Sequence, residues 1–368
     1  MTTAAPDPVL IIAEAGVNHN GSVEMGVRLI DAAAEAGADV VKFQTFKTGA
    51  VIARHAPKAR YQQENCGSEE SQFDMVRKLE LDGAAFHRLA EHCAARGIEF
   101  LSTPFDLESL DLLVRELPVR RLKLPSGEIT NAPLLLEAAR SRLPLIVSTG
   151  MATLGDIEEA LGVIAFGLLP AETPPSRAAF ADAYHTALHQ GLLAGTVTLL
   201  HCTSEYPAPL SEINLHAMAT LSHAFGLPVG YSDHSEGITV PVAAVALGAR
   251  VIEKHFTLDR TLPGPDHRAS LEPAELKAMV TAIRATELAL GNPRKGLQPG
   301  EADTRRVARK SLVAACAIPA GAPFTKDTLT TKRPGGGRSP FDFWSLLGQP
   351  ATRAYDADEP IETGGPGQ

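Results

Sequence analysis

Two histidines pose the first chemical question. His234 and His255 stand at or just past the ends of two short apolar runs, Val229–Ser232 and Arg250–Lys254. If those runs are consecutive strands of one sheet, both imidazoles reach a common divalent ion. Two nitrogens with Glu14 and Glu253 nearby leave several coordination positions open. That suits Mn²⁺ or Mg²⁺ taking water and substrate oxygens better than a closed structural zinc. The competing reading is a pair of hydrogen-bonded loop histidines. Lys42 and Lys123 end other apolar runs, where an unpaired ammonium is costly to bury. They either pair with carboxylates of the protein or face a phosphate or carboxylate of a ligand. Hydroxyls at Thr103, Ser126, Ser148 and Thr149 supply donors for such an anion and favour the ligand. A Schiff-base lysine is the remaining alternative.

These residues need a scaffold that brings run ends together. Eight runs recur: Val9–Ala13, Asp39–Phe43, Glu99–Ser102, Arg121–Leu124, Leu145–Ser148, Val197–Leu200, Val229–Ser232 and Arg250–Lys254. They are short and rich in Val, Ile and Leu, as buried parallel strands are. Between them lie segments with helical spacing, among them Met25–Ala36, Gly83–Arg96, Ala132–Ser141, Leu154–Phe166 and Val240–Leu247, with Gly97 and Gly248 at expected helix ends. A helix over Pro273–Leu290 closes the series. Eight such alternations predict an α/β fold, a (β/α)₈ TIM barrel, whose chemistry sits at the C-terminal strand ends. A Rossmann sheet is excluded because no Gly-rich turn follows the first run. The run ends carry Glu14 with Asn18 and His19, Lys42 with Gln44, Ser102–Thr103, Lys123 with Ser126 and Glu128, and Ser148–Thr149. The others carry His201 with Thr203, Glu205 and Tyr206, then Ser232–Asp233–His234, then Glu253 with His255. Polar residues at all eight ends outweigh any single member.

The 368 residues, 44% apolar, carry 34 basic against 43 acidic side chains, a formal charge of −9. That balance argues against a dedicated nucleic-acid or anionic-membrane partner. Met1–Pro8 has no signal-peptide pattern, no run is long enough to span a membrane, and four scattered cysteines form no CxxC pair, so a cytoplasmic protein with reduced thiols is expected. The barrel is placed at 1–291, a Gly- and Pro-broken linker at 292–306, and a small second domain at 307–368 with β-like pieces at Lys310–Ala314 and Ala351–Tyr355. Residues 167–195 read as an insertion, part Pro-rich loop and part extra helix. Asn18–Gly21 reads as a tight turn, Gly335–Gly337 as a mobile loop, Cys202 as a small buried thiol, and the terminal GGPGQ as frayed.

The ordered motifs IIAEAGVNHNGS, VVKFQTFK, FLSTPFD, KLPSGEITN, IVSTGMAT, LLHCTSEYPAP, GYSDHSEG and VIEKHFTLDRTLPGPDH, continued by KRPGGGRSP, resemble the sialic acid synthase family over essentially the whole chain. The last motif looks like that family's C-terminal antifreeze-like (SAF) module, of β-clip type. The resemblance implies condensation of phosphoenolpyruvate with an N-acylated mannosamine-type sugar and water. It implies metal ligation by His234 and His255, and phosphoenolpyruvate held by Lys42, Thr103, Lys123, Ser126, Ser148 and Ser232. It puts the sugar near Gln44, Glu128, Tyr206 and Asp266, with Arg333 inserted from the partner of a domain-swapped homodimer. Ser204 stands where some members carry Asn. Glu14 and Glu253 are expected to handle the water and its proton, and Lys42 and Lys123 to neutralise the phosphate. N-acetylmannosamine, yielding N-acetylneuraminate, is the expected sugar. A 6-deoxy diacetamido analogue yielding N,N'-diacetyllegionaminate is the alternative, ahead of a pyruvate-dependent aldolase or a carbohydrate- or ice-binding protein.

Overall fold

The computed structural model describes residues 7–67, 69–170 and 173–363. Two compact units emerge, one ending at Gly291 and the other beginning at Asn292. The first is an eight-stranded parallel barrel: β1 (Leu10–Gly16), β2 (Val40–Thr45), β3 (Glu99–Pro104), β4 (Leu122–Leu124), β5 (Leu145–Ser148), β6 (Val197–His201), β7 (Val229–Asp233) and β8 (Val251–His255). The hydrogen-bonded order is β3-β2-β1-β8-β7-β6-β5-β4, and β3 lies against β4.

Alternation of side chains along each strand divides the barrel into two apolar regions. Ile11, Ala13, Val41, Phe43, Phe100, Leu122, Leu124, Val147, Leu199, Tyr231 and Ile252 face the helical layer and form the main core. The intervening residues Ile12, Val40, Leu101, Ile146, Leu200 and Val251 pack on one another inside the barrel as a separate plug. Two positions further along the same faces come Glu14, Lys42, Thr103, Ser148, Cys202 and Glu253, all buried. The strands therefore stack a polar layer directly on an apolar one. Several strands run one to three residues past the expected ends, so Glu14 and Gln44 lie within strands rather than after them.

Helices fall where the apolar spacing predicts them. Gly83–Arg96 starts at Asp82, whose carboxylate accepts the Ala85 N–H, and ends at Gly97, whose φ of 71° is the left-handed geometry that a glycine adopts freely. Pro273–Leu290 has the expected bounds. Within 167–195, the helix Arg177–Gln190 packs on Leu154–Leu168, with Phe166 and Phe180 edge to face at 5.3 Å.

In the second unit, β9 (Ser311–Ala314) pairs antiparallel with β10 (Leu329–Lys332) around a core of Leu312, Ile318, Phe324, Leu329, Leu346, Tyr355 and Ile361. Three expectations need correction here. The segment expected as a linker contains a helix, Ala302–Ala308, in which Ala302, Arg305, Arg306 and Ala308 favour the helix and no Gly or Pro interrupts it. Ala351–Tyr355 is not a strand: the Ala351 N–H goes to Ala322 and only Tyr355 bridges, to Ile318. The Gly335–Gly337 loop is tied down, since Gly335 donates to the Arg306 carbonyl and Gly337 to Ser311 Oγ. The terminal GGPGQ lies outside the described residues. Among those described, no helix is long and apolar enough to cross a membrane.

The barrel's tight interior gives one stability prediction. A Cβ at Gly230 would meet the Val251 carbonyl oxygen and lie 2.7 Å from Leu200 Cδ2, whereas one at Gly49 meets nothing within 4 Å. Gly230→Ala should destabilise the barrel by about 1–3 kcal/mol in urea unfolding, and Gly49→Ala should not; equal effects would contradict this packing.

Candidate active site

At the C-terminal mouth two ammonium groups and two carboxylates form a buried quartet. Lys42 Nζ lies 2.7 Å from Glu14 Oε2 and 3.5 Å from Glu253 Oε2, and it donates to Thr103 Oγ1 at 3.0 Å. Lys123 Nζ is 3.4 Å from Glu253 Oε1, which also accepts the Ser232 hydroxyl at 2.8 Å. Gln44 Nε2 reaches Glu14 Oε1 at 3.3 Å. The pairing follows from register: Glu14 lies opposite Lys42 on one side and His255 on the other, and Ser232 lies opposite Glu253.

Burial and charge pull these groups apart. Burial raises the Glu14 carboxyl to about 7, with the neighbouring Glu253 adding to that and Lys42 opposing it. Burial also works against Glu253, but two ammoniums and the Ser232 hydroxyl overcome it and hold this carboxyl well below the usual range. Lys42, between two carboxylates, stays above its ordinary value despite burial, while burial lowers Lys123, which has Glu253 as its close partner. The site thus holds one firmly ionised carboxylate beside one poised to exchange a proton.

The two histidine rings lie 5.7 Å apart, with the Tyr206 ring 4.1 Å from His234 and 5.7 Å from His255. His234 Nδ1 donates to the Thr203 carbonyl at 2.6 Å, which leaves the lone pair on Nε2; His255 Nδ1 is buried without a partner. Burial lowers His234 to about 4 and His255 well below its ordinary value, so both are neutral, the form that ligates a metal. Among the described residues, no three His, Cys, Asp or Glu side chains are grouped so as to hold a metal ion. Two neutral imidazoles whose rings lie 5.7 Å apart are donors of the kind a divalent cation takes.

A second cluster sits across the mouth. Ser126 Oγ accepts the Gly150 N–H at 2.9 Å and lies 3.1 Å from Cys202 Sγ. A Cβ at Gly150 would come within 2.8 Å of Ser126 Oγ and 2.9 Å of Cys202 Sγ, so this approach requires glycine. Ser148 Oγ is buried without a hydrogen-bond partner. Cys202 is a buried thiol that burial shifts upward.

Not every expected residue joins these clusters. Glu128 accepts a hydrogen bond from Asn131 Nδ2 at 2.6 Å, within its own turn. Asp266 is buried in the loop after β8, and Arg333 is exposed in the second unit. The Asn18–Gly21 turn forms, but it does more than reverse the chain. Asn18 Nδ2 donates to the Phe256 carbonyl at 2.8 Å and Ser270 Oγ at 3.0 Å, locking the β1 loop to the β8 loop. Gly16, overlooked in the sequence, sits at φ 53° where a Cβ would lie 3.3–3.5 Å from Glu14, Gln44 and His255. The AEAG motif ending a strand was its only signal.

Asp266 generates a pH prediction. Burial alone raises its carboxyl to about 6 from 3.8. A raised carboxyl binds its proton more tightly folded than unfolded, so the ionised group destabilises the barrel above about pH 6, and that cost disappears as pH falls towards 4. Asp266→Asn should therefore stabilise the barrel by on the order of 2–3 kcal/mol at pH 8, with the gain vanishing near pH 4. Urea unfolding at both pH values checks it; a gain independent of pH contradicts it.

Comparison with known proteins follows the same division of the chain. The model described as NeuB family matches residues 29–295, and that of the SAF domain matches residues 309–364. The chain is 49% identical over 352 residues to the N,N'-diacetyllegionaminic acid synthase of Campylobacter jejuni, covering 96% of this chain and 98% of that one. It is 43% identical to the protein of the same name from Legionella pneumophila, over 92% of this chain and 89% of that one. A solved structure, the N-acetylneuraminic acid synthetase of Leptospira borgpetersenii, superposes with a TM-score of 0.65 at 36% identity, covering 81% of this chain and 90% of that one. With the family model spanning most of the barrel and relatives matched nearly end to end, this chain belongs to the NeuB family.

Proposed function

We propose that the protein is a nonulosonic acid synthase that condenses phosphoenolpyruvate with an N-acylated aminosugar of the mannose series and water, releasing phosphate. The observation that carries this reading is the mouth itself: two buried lysines and a ring of hydroxyls, Ser148 Oγ among them without a hydrogen-bond partner, beside two neutral imidazoles. Anionic phosphoenolpyruvate would lie against Lys42 and Lys123, with Thr103, Ser126, Ser148 and Ser232 donating to its oxygens. Tyr206, Gln44, Glu128 and Asp266 would receive the sugar. His234 and His255 would hold Mn²⁺ or Mg²⁺, which when bound supplies Lewis acidity towards the open-chain sugar's carbonyl.

In the reaction, the C2–C3 π pair of phosphoenolpyruvate forms the new bond from carbon 3 to the sugar aldehyde carbon, whose C=O π pair moves to oxygen and takes up the proton that Glu14 returns, while carbon 2 becomes electron-poor. Water adds there, and phosphate leaves by C–O cleavage to give the 2-keto acid. Glu14 would take the proton from water, its raised affinity letting it both accept and return one near neutral pH. Glu253, kept ionised by the two lysines, would stabilise positive charge at carbon 2. Arg333 would reach the sugar from a second copy of the chain, completing each site in a homodimer. The substrate and the free thiols suit a cytoplasmic enzyme.

For the sugar, the 49% and 43% relatives support a 6-deoxy 2,4-diacetamido mannose and N,N'-diacetyllegionaminate as product. The 36% likeness to an N-acetylneuraminic acid synthetase supports N-acetylmannosamine as the second reading. Incubation with phosphoenolpyruvate, Mn²⁺ and each sugar, followed by phosphate release, should show faster turnover with the diacetamido sugar; preference for N-acetylmannosamine reverses the assignment. No phosphate release with either sugar would overturn the synthase reading.

Two variants test the machinery. His234→Ala should lower kcat/KM by about 100-fold or more, as should chelation, and turnover that resists both sinks the metal role. Co-expression of His234→Ala with Arg333→Ala should recover activity in mixed dimers, to about a quarter of the parent from the statistics of pairing. With each variant inactive alone, no recovery would place Arg333 in the site of its own chain, whereas an active Arg333→Ala homodimer would place it outside the site.

A further inference from the structure

The proposed function leaves one buried pair of charges unused. Asp233 and Lys254 are fully buried, and they immediately precede His234 and His255 in the chain. Alternation turns them away from the barrel interior, since Tyr231 and Ile252 on the same faces belong to the helix-facing core. Lys254 Nζ donates to Asp233 Oδ2 at 2.6 Å and also to the Ser235 carbonyl. Asp233 accepts the Ser235 N–H at Oδ1, 3.0 Å, and the Ser235 hydroxyl at Oδ2, 3.1 Å. The tripeptide 233–235 is thus closed on itself around His234, and one ammonium holds both of its ends. That ammonium belongs to the residue before His255, and the register sets Asp233 opposite Lys254.

Stability alone does not account for such a pair. Removing two charges from water is expensive, and replacing a buried ion pair by apolar residues is commonly neutral or stabilising. What it supplies here is position. A cation held by only two protein nitrogens depends on their spacing, and ligands must sit within about half an ångström of the productive geometry. We infer that Asp233, Ser235 and Lys254 form a clamp on the outer face of the barrel that sets the spacing and orientation of His234 and His255, acting as positioning residues for the metal. This rests on the two-histidine metal reading given above.

The test is Mn²⁺ affinity of the substrate-free enzyme, read by electron paramagnetic resonance titration, beside the thermal midpoint. Asp233→Asn/Lys254→Met removes both charges and keeps an acceptor for the Ser235 N–H. The expected result is a folded protein with a near-parent midpoint whose Mn²⁺ affinity is about tenfold weaker. Should that variant not fold, Ser235→Ala, which removes a single hydrogen bond to Asp233, should weaken Mn²⁺ by about threefold. Parent-like Mn²⁺ affinity in either folded variant overturns the clamp. His234→Ala in the same titration separates the two ideas. If Mn²⁺ binding survives it, the metal reading falls and the clamp with it. If binding is lost there yet parent-like in the double variant, the clamp alone falls.

Discussion

Four charges buried in one barrel mouth are the constraint on which the rest of this structure depends. Glu14, Lys42, Lys123 and Glu253 come from four different strands, and none is tolerable there without the others. Their balance is uneven by design of the backbone: Glu253 has two ammonium neighbours, Glu14 essentially one. The same desolvation therefore leaves one carboxylate ionised and lifts the other towards neutrality. The apolar plug of Ile12, Val40, Leu101, Ile146, Leu200 and Val251 lies directly beneath the quartet and walls it from below. Without a dry floor these charges would be screened and their affinities would return to ordinary values.

The loops above the strands extend this order. Asn18 ties the β1 loop to the β8 loop, and Asn20 donates through Nδ2 to the Pro263 carbonyl while its Oδ1 accepts from His267 Nε2 at 3.1 Å. The Thr203 carbonyl fixes the tautomer of His234. Each loop is held by hydrogen bonds to a loop distant in sequence, so the mouth is assembled as a unit. The helix-facing Asp233–Lys254 pair belongs to the same scheme from the opposite side of the sheet.

Much of this was legible in the chain because its strands are short, apolar and two-sided. The runs ending near Lys42, Lys123, His234 and Glu253 are strands because a parallel barrel buries both faces, which writes a continuous Val/Ile/Leu signal. The second unit was harder. Tyr355 and Ala351 resemble strand residues, yet they belong to a small core built largely from turns, where composition does not separate a strand from packed coil. The helix Ala302–Ala308 escaped notice because Gly and Pro on its flanks mark a break without saying how long the break is. Gly16 and Gly150 carry no side chain to advertise a role. Their importance lies in what a Cβ would collide with, and most of those neighbours come from other strands and loops.

For the barrel, the sequence by itself determined which elements form and which residue types stand at their ends, because strand alternation, helix spacing and capping are local physics. It also carried the ordered motifs by which the chain resembles its family. Only the tertiary structure decided which of those residues meet. Register sets Glu14 between Lys42 and His255, and curvature of the closed sheet brings Lys123 to Glu253 from across the barrel. Charge partners, proton affinities and the facing of two imidazoles are properties of distances between strands far apart in the chain. No local pattern encodes those distances.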